Sequence, residues 1–468
     1  MRRAALPFAL LLVACVLLGA VPSTIASPQP DPVCGACGSS FEHVAEERGL
    51  AANVTHSTAT VRVHENGSAT WIVTDRVNRS AADRLAEDTD LLEGIARRAA
   101  TEGWGLPHVY EEGEVRFRSV SIDDRTIEIR FRDPDAGERR LGLLVVDYLH
   151  SEGIRGGWIL NADRFTIAGP DGTAVVNDPR ATIDDEYASP GEVPEIDGGN
   201  ATWRGSTAEY ESALYDDVYV VYGGPTTSRV HADAVVALST APIWLDNLAA
   251  FVLPALVLYG LLLVGVAGVS MRAAEASLDP DRIAGFVAGL GLVGFLAAGL
   301  AGATNEPSWF AGLAAIYLVT GSIALARPAT LRTTRGALAL AAASTLGVGV
   351  VLSGLAVVDP VTDGALTVLR GMAFHLPLAV VPAFGLAVAR DAAVEDLRSL
   401  TLAFAGALVS FALAGAVFVP YGSRPWGLVL ILTLGGAVLA ALLGLPLAVL
   451  AARRQAEAGR RGRAPRRP

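Results

Sequence analysis

The sequence predicts an α+β domain rich in antiparallel strands, followed by an all-α bundle of seven transmembrane helices. Three observations carry that prediction. The stretch from Leu245 to Leu450 is a series of apolar runs of near-bilayer length, the two halves of the chain carry opposite net charge, and the first half holds segments that alternate apolar and polar side chains. A spanning helix needs about 20 apolar residues, whereas period-two alternation marks a half-buried strand.

The runs are Leu245–Ser270, Ile283–Ala303, Phe310–Ala326, Ala337–Val358, Met372–Ala389, Leu400–Pro420 and Gly427–Leu450. Charge follows the same division. Residues 28–242 hold 37 Asp and Glu against 19 Arg, a net of −18, while residues 243–468 hold 11 acids against 16 Arg, a net of +5. All 37 basic residues are Arg. A chain without lysine cannot form a retinal or pyridoxal Schiff base, nor present the lysine of a phosphate-binding loop, so seven spans do not imply a retinal pump.

Residues 1–26 read as a secretory signal, with Arg2 and Arg3, an apolar stretch from Ala4 to Val21, Pro22, and a small-residue cleavage site ending at Ala26. An uncleaved anchor is the alternative, and either one exports the strand-rich half. Leu12-Val13-Ala14-Cys15 has the form of a lipoprotein box, but the apolar run continues through Val16, Leu17 and Leu18, where a mature lipoprotein turns polar.

Arginine placement gives an independent orientation, because cytoplasmic loops are enriched in positive charge. With the first half outside, the inner loops and tail hold fourteen Arg and the outer loops only Arg370 and Arg424. Trp244, Trp309 and Trp426 then fall at outer boundaries, where amphipathic rings favour the headgroup layer. The expected organisation is a signal (1–26), an exterior acidic domain (27–242), a seven-span domain (243–452) and an Arg-rich cytoplasmic tail (453–468). Four acceptor sequons, at Asn53, Asn66, Asn78 and Asn200, all lie in the exterior part, which makes them candidate glycosylation sites.

Within that part, Ala59, Val61 and Val63 alternate with Thr60, Arg62 and His64 before Glu65-Asn66-Gly67-Ser68, and Ala69, Trp71 and Val73 alternate on the return. This predicts a hairpin with a tight Asn-Gly turn. Leu85, Leu91, Leu92, Ile95 and Ala99 predict one helix, capped by Ser80 or Thr89 and ended at Gly103. Further strands are expected around Val115–Phe117, Ile127–Phe131, Phe165–Ile167, Asp217–Tyr222 and Val235–Leu238, and an irregular acidic segment over Pro179–Asn200. Leu141–Leu149 is a continuous apolar run that periodicity cannot assign.

The segment Val61-Arg-Val-His-Glu-Asn-Gly-Ser-Ala-Thr-Trp71 resembles the opening of the exterior domain in a family of uncharacterised haloarchaeal exported multi-pass membrane proteins. The acidic, lysine-free composition is similar to that of salt-adapted proteins, whose excess carboxylates maintain solubility. The overall plan is also similar to bacterial seven-helix receptors with exterior sensory domains, but those end in a large signalling domain whereas only Ala451–Pro468 succeeds the last run here.

Few residues carry recognisable chemistry. Cys34-Gly-Ala-Cys37 is read first as a structural disulfide, with metal ligation or electron exchange as the alternatives. His43 with Glu46 and Glu47 lacks the second histidine of a zinc-protease helix, and Asp184-Asp185-Glu186, Glu195 and Asp197 lack calcium-loop spacing, so no metal and no cofactor is expected. His375, near Pro377 and Pro382, is the candidate intramembrane polar site, placed at the outer boundary of the fifth run. Gly285 and Gly289, with Gly299 and Gly302, are expected at helix contacts, and Arg453–Arg467 at the anionic inner leaflet.

No nucleophile, base and metal constellation is visible, so the expected function is not enzymatic. A membrane protein that presents its exterior domain for ligand sensing or envelope assembly fits best, with the bilayer and an exterior ligand or envelope protein as partners and no nucleic acid. The alternative is a permease or an accessory subunit of one.

Overall fold

A computed structural model describes residues 30–101, 115–150, 158–180, 193–206, 213–214, 218–301, 308–358, 364–394, 397–419 and 426–463. The expected signal, Gly103, Asp184–Glu186 and Gly302 lie outside these. The chain forms two compact units, one centred on Thr24–Trp244 and the other on Leu245–Pro420 with Trp426–Pro468.

The first unit is strand-rich. In chain order it contains β1 (Asp31–Pro32), α1 (Gly38–Glu47), β2 (Val54–Val63), β3 (Ala69–Val77), α2 (Arg79–Glu87), α3 (Thr89–Thr101), β4 (Arg116–Asp123), β5 (Thr126–Asp133), β6 (Glu138–Arg140) and β7 (Leu143–Leu149). There follow β8 (Trp158–Ile159), β9 (Arg164–Ala168), β10 (Ala174–Val175), β11 (Glu195–Asp197), β12 (Asn200–Trp203), β13 (Ala213–Leu214), β14 (Val218–Gly223) and α4 (Arg229–Asn247). Seven strands form the main sheet in the order β11-β12-β9-β2-β3-β5-β4, four form β10-β14-β7-β6, and three short ones form β1-β8-β13. In the main sheet β2 and β9 run parallel and the other neighbours antiparallel.

The alternation seen in the sequence sets which face is buried. Ala59, Val61 and Val63 of β2 and Ala69, Trp71 and Val73 of β3 all point into one core, beside Ile127, Ile129 and Phe131 of β5. Trp71 stacks on Phe131 and packs against Phe165, which in turn meets Trp203.

Four local expectations are corrected. The β2–β3 turn has positive φ at Gly67 alone, not at Asn66; Gly67 N–H bonds the His64 carbonyl and His64 N–H the Ser68 carbonyl, a three-residue loop closed by glycine. The single expected helix is two, α2 and α3, broken at Asp88, whose carboxylate accepts the Leu91 amide and starts the second. Val235–Leu238 is helical within α4, where Ala232 and Val235 lie one turn apart on the face packed against Leu143, Val145, Tyr219 and Val221. The Pro179–Asn200 segment ends in a hairpin, β11–β12, turned at Gly198.

The unassigned apolar run is also resolved. Leu143 and Val145 face α4 while Leu144, Val146 and Tyr148 face the main core, so β7 is buried on both sides and shows no alternation.

The second unit is helical: α5 (Leu253–Glu275, preceded by a π-helical turn over Leu248–Val252), α6 (Pro280–Ala301), α7 (Ser308–Ala326), α8 (Thr334–Val358), α9 (Gly364–Val394), α10 (Leu397–Phe418) and α11 (Trp426–Arg463). Among the described residues six helices are long and apolar enough to cross a membrane, and the run Phe310–Ala326 is a shorter apolar helix. Large apolar side chains stand exposed on several, including Val264, Phe286, Val293, Val350 and Leu402. Helices apolar on their outer faces as well as their inner ones suit a lipid solvent. α9 is the most buried of these six helices.

Close helix approach uses other glycines than those expected. A Cβ on Gly285 or Gly289 would meet open space, so these two do not mark an internal contact. Gly291 of α6 lies against the Leu318 backbone and Gly321 of α7 against Ala288, while Gly385 of α9 and Gly444 of α11 meet Ala448 and Val381. Small residues there allow backbones to approach without cost in lost side-chain packing.

Candidate functional site

Two polar centres lie inside the strand-rich unit, and the first gathers around the cysteines. Cys34 and Cys37 are joined by a disulfide with 5.3 Å between Cα atoms, and Cys37 is the N-cap of α1. Both are buried. The side chain of Asn161 secures the loop: its Nδ2 donates to the carbonyls of Cys34 (2.7 Å) and Cys37 (3.1 Å) and to Ser40 Oγ (3.1 Å), and its Oδ1 accepts the Cys34 amide (3.1 Å). A disulfide closing so short a loop contributes about 2 kcal/mol by chain entropy, near the low end for such bonds. The loop is thus held by Asn161 as well as by the sulfurs.

Next to this loop sits Asp75, fully buried. Period-two alternation along β3 puts it in the inward row with Trp71, Val73 and Val77, opposite Ser57 of β2. Its polar neighbours are the Ser57 hydroxyl and the Gly38 amide at the start of α1, neither in full hydrogen-bond geometry. Burial pushes its carboxyl up to about 7, the Ser57 and Gly38 groups opposing, with Glu42 and Asp163 adding repulsion. Glu42 Oε1 accepts the Val54 amide at 2.5 Å. Asp163 accepts the Ser57 amide at 2.8 Å and contacts His56 Nδ1 at 2.7 Å. Glu42 from α1 and Asp163 from the approach to β9 therefore flank the Asp75 carboxyl of β3, which lies near Gly38 at the start of α1. Among the described residues no group of three such ligands is arranged to hold a metal ion.

The second centre is a chain in which Trp71 Nε1 donates to the Tyr148 hydroxyl at 3.3 Å and Tyr148 donates to Asp133. Burial raises both the Asp133 carboxyl and the Tyr148 hydroxyl. It ties β3, β5 and β7 together through the aromatic core.

The other sequence candidates are dispersed. His43 pairs with Glu47, at 3.6 Å on an exposed helix face. Asn53, Asn66 and Asn200 are exposed, whereas Asn78 is half-buried, its Nδ2 donating to Ser80 Oγ and its Oδ1 accepting the Asn53 amide. His375 is 1% exposed. It is packed within the bundle against Gly312 of α7 and edge-on to Phe374. The tail reading changes. α11 continues to Arg463, and Arg453 and Arg454 are buried: Arg453 donates to the carbonyls of Ala274 and Leu278, at and just beyond the end of α5, and Arg454 to Asp281 and the Ala324 carbonyl.

Sequence reasoning missed Asp75, Asn161 and Arg454. A signal existed for the first alone, since an acid in the inward register of an otherwise apolar row is out of pattern.

No family model, curated protein or solved structure matches the chain. The chain is of a class the fold defines, a strand-rich unit joined to apolar helices compatible with a multi-pass membrane protein, and the comparisons add no activity to that.

Proposed function

We propose that the chain is a seven-span membrane protein that displays its acidic strand-rich domain outside the cell, for ligand sensing or envelope assembly, with its C-terminus in the cytoplasm. Phe310–Ala326 is the seventh span in this reading. It resembles haloarchaeal exported membrane proteins, carries sugars at exposed sequons, and acts by binding rather than catalysis. The observation carrying the reading is the union of a net −18 strand-rich half with a half of long apolar helices whose arginines collect at alternate ends.

Tag accessibility on intact cells tests the orientation. Tags inserted near Gly198 should react with impermeant reagent and tags after Arg463 should not; the reverse pattern overturns the proposal. Cross-linking in native membranes, followed by purification, then separates a soluble ligand from an envelope partner.

The permease reading draws support from α9, central in the bundle, with Pro377, Pro382 and the buried His375 within it. Solute flux in proteoliposomes that is lost in His375→Leu would favour it.

A further inference from the structure

Asp75 is the one described acid set in the inward apolar row of β3, and the elements around it are unequal in their freedom to yield. β2 and β3 are interior strands, hydrogen-bonded to neighbours on both sides. α1 is a ten-residue helix packed on β2 and α3. Its first turn is held by Asn161 and the disulfide, and farther along Glu42 accepts the Val54 amide and Glu47 pairs with Arg98 at 3.0 Å. The groups acting on Asp75 are Glu42 from α1, Asp163 ahead of β9, which is occupied by His56 and the Ser57 amide, and the Ser57 hydroxyl and Gly38 amide. Among these described groups there is no arginine. An Asp75 carboxylate in this place has two acids for neighbours and no cation among them, with the Gly38 amide and the Ser57 hydroxyl as partial compensation, and α1, which carries both Gly38 and Glu42, is the element whose displacement would admit water.

We propose that Asp75 is a proton-operated latch on the disulfide loop: protonated, it seats α1 over the sheet and seals Cys34–Cys37, and ionised, it loosens α1 and opens the disulfide to reductants in the medium. The device works on either side of a membrane and does not rest on the orientation proposed above. Carboxylate ionisation is the local charge change, and α1 is the element it biases.

The test uses the full chain in detergent and tris(2-carboxyethyl)phosphine, a reductant that needs no thiolate. Each event cleaves the Cys34–Cys37 bond to two thiols, water supplying both protons and the oxygen that leaves as phosphine oxide. The thiols are trapped with methyl methanethiosulfonate and read by mass in the peptide carrying both cysteines, with rates normalised to the same chain in denaturant. Wild type should be reduced about fivefold or more faster at about pH 8.5 than at about pH 5.5, with a midpoint near 7. Asp75→Asn, isosteric with the protonated acid, should stay at the slow rate throughout. Parallel profiles in the two proteins, or a flat wild-type profile, overturn the proposal. Should Asp75→Asn fail to fold, amide exchange over Gly38–Glu47 in wild type decides, corrected for intrinsic rates: protection must fall across the same interval, and unchanged protection overturns the latch.

Discussion

Arg454, 2% exposed in the C-terminal part of α11, donates through Nη2 to the Asp281 carboxylate at 2.5 Å and to the Ala324 carbonyl at 3.0 Å. One guanidinium thereby joins the start of α6, the end of α7 and the body of α11. With Arg453 on carbonyls at the end of α5, adjacent arginines fasten four helices at one end of the bundle. A positive group on helix C-terminal carbonyls is also favoured by the helix dipole.

This makes the pair asymmetric under mutation. Arg454→Leu leaves the Ala324 carbonyl without its donor and should lower bundle stability by on the order of 2 kcal/mol, while Asp281, about two-thirds exposed, is re-solvated. Asp281→Asn keeps an acceptor for the buried guanidinium and should cost less. Thermal melts of both variants and of the double variant in one detergent measure the difference, and equal losses would refute the asymmetry.

Asp75 predicts the direction of stability with pH. Its folded value, near 7, is above the 3.8 of an ordinary aspartate, so the folded chain binds more protons between those values and stability falls as pH rises. The contribution is fully present below about pH 4 and lost once pH passes about 7, up to ~4 kcal/mol for one group shifted by about three units. Asp75→Asn should remove this slope and melt higher than wild type at about pH 8. Melts of the full chain across pH measure it, and identical slopes would exclude Asp75 as the cause.

The Trp71–Tyr148–Asp133 chain predicts a different signature. Tyr148→Phe keeps the ring against Trp71 but strips Asp133 of a donor, while the Asp135 amide still reaches its Oδ1 at 2.9 Å. A loss of about 1–3 kcal/mol is expected. Asp133→Asn added to Tyr148→Phe should recover part of it, because a neutral amide costs less to bury than a carboxylate. No recovery would show that the charge on Asp133 is not what Tyr148 offsets.

How far the sequence could be read depended on whether one segment decided its own structure. Thr58–Val77 did, since alternating residues about a glycine turn set both strands and their buried face. The apolar runs did as well, because length and composition suffice to give a helix in lipid. Val235–Leu238 did not: four apolar residues fit either period, and the surface of β7 and β14 that selects the helix lies far off in the chain. Asn161 and Arg454 were invisible for the same reason, as the carbonyls they bind are 124 or more residues away. A glycine spacing motif, finally, records where a close approach is permitted but not whether a neighbour takes it.

That difference can be tested by paired substitutions in the bundle. Adding a side chain at Gly385 drives its Cβ into the Ala448 carbonyl oxygen, which belongs to helix backbone and cannot swing aside. α9 and α11 must then separate, and because α9 is the most buried helix, its other contacts loosen too. Gly385→Val should therefore cost at least about 1–3 kcal/mol, the usual range for an overpacked core, and lower the yield of monodisperse protein in detergent. Gly285→Val points the same added volume into open space and should change stability by no more than the difference in helix propensity, roughly 0.5 kcal/mol in either direction. If Gly285→Val proves the more damaging of the two, a partner covers that face of α6 in solution, and the open face seen in the single chain is an interface.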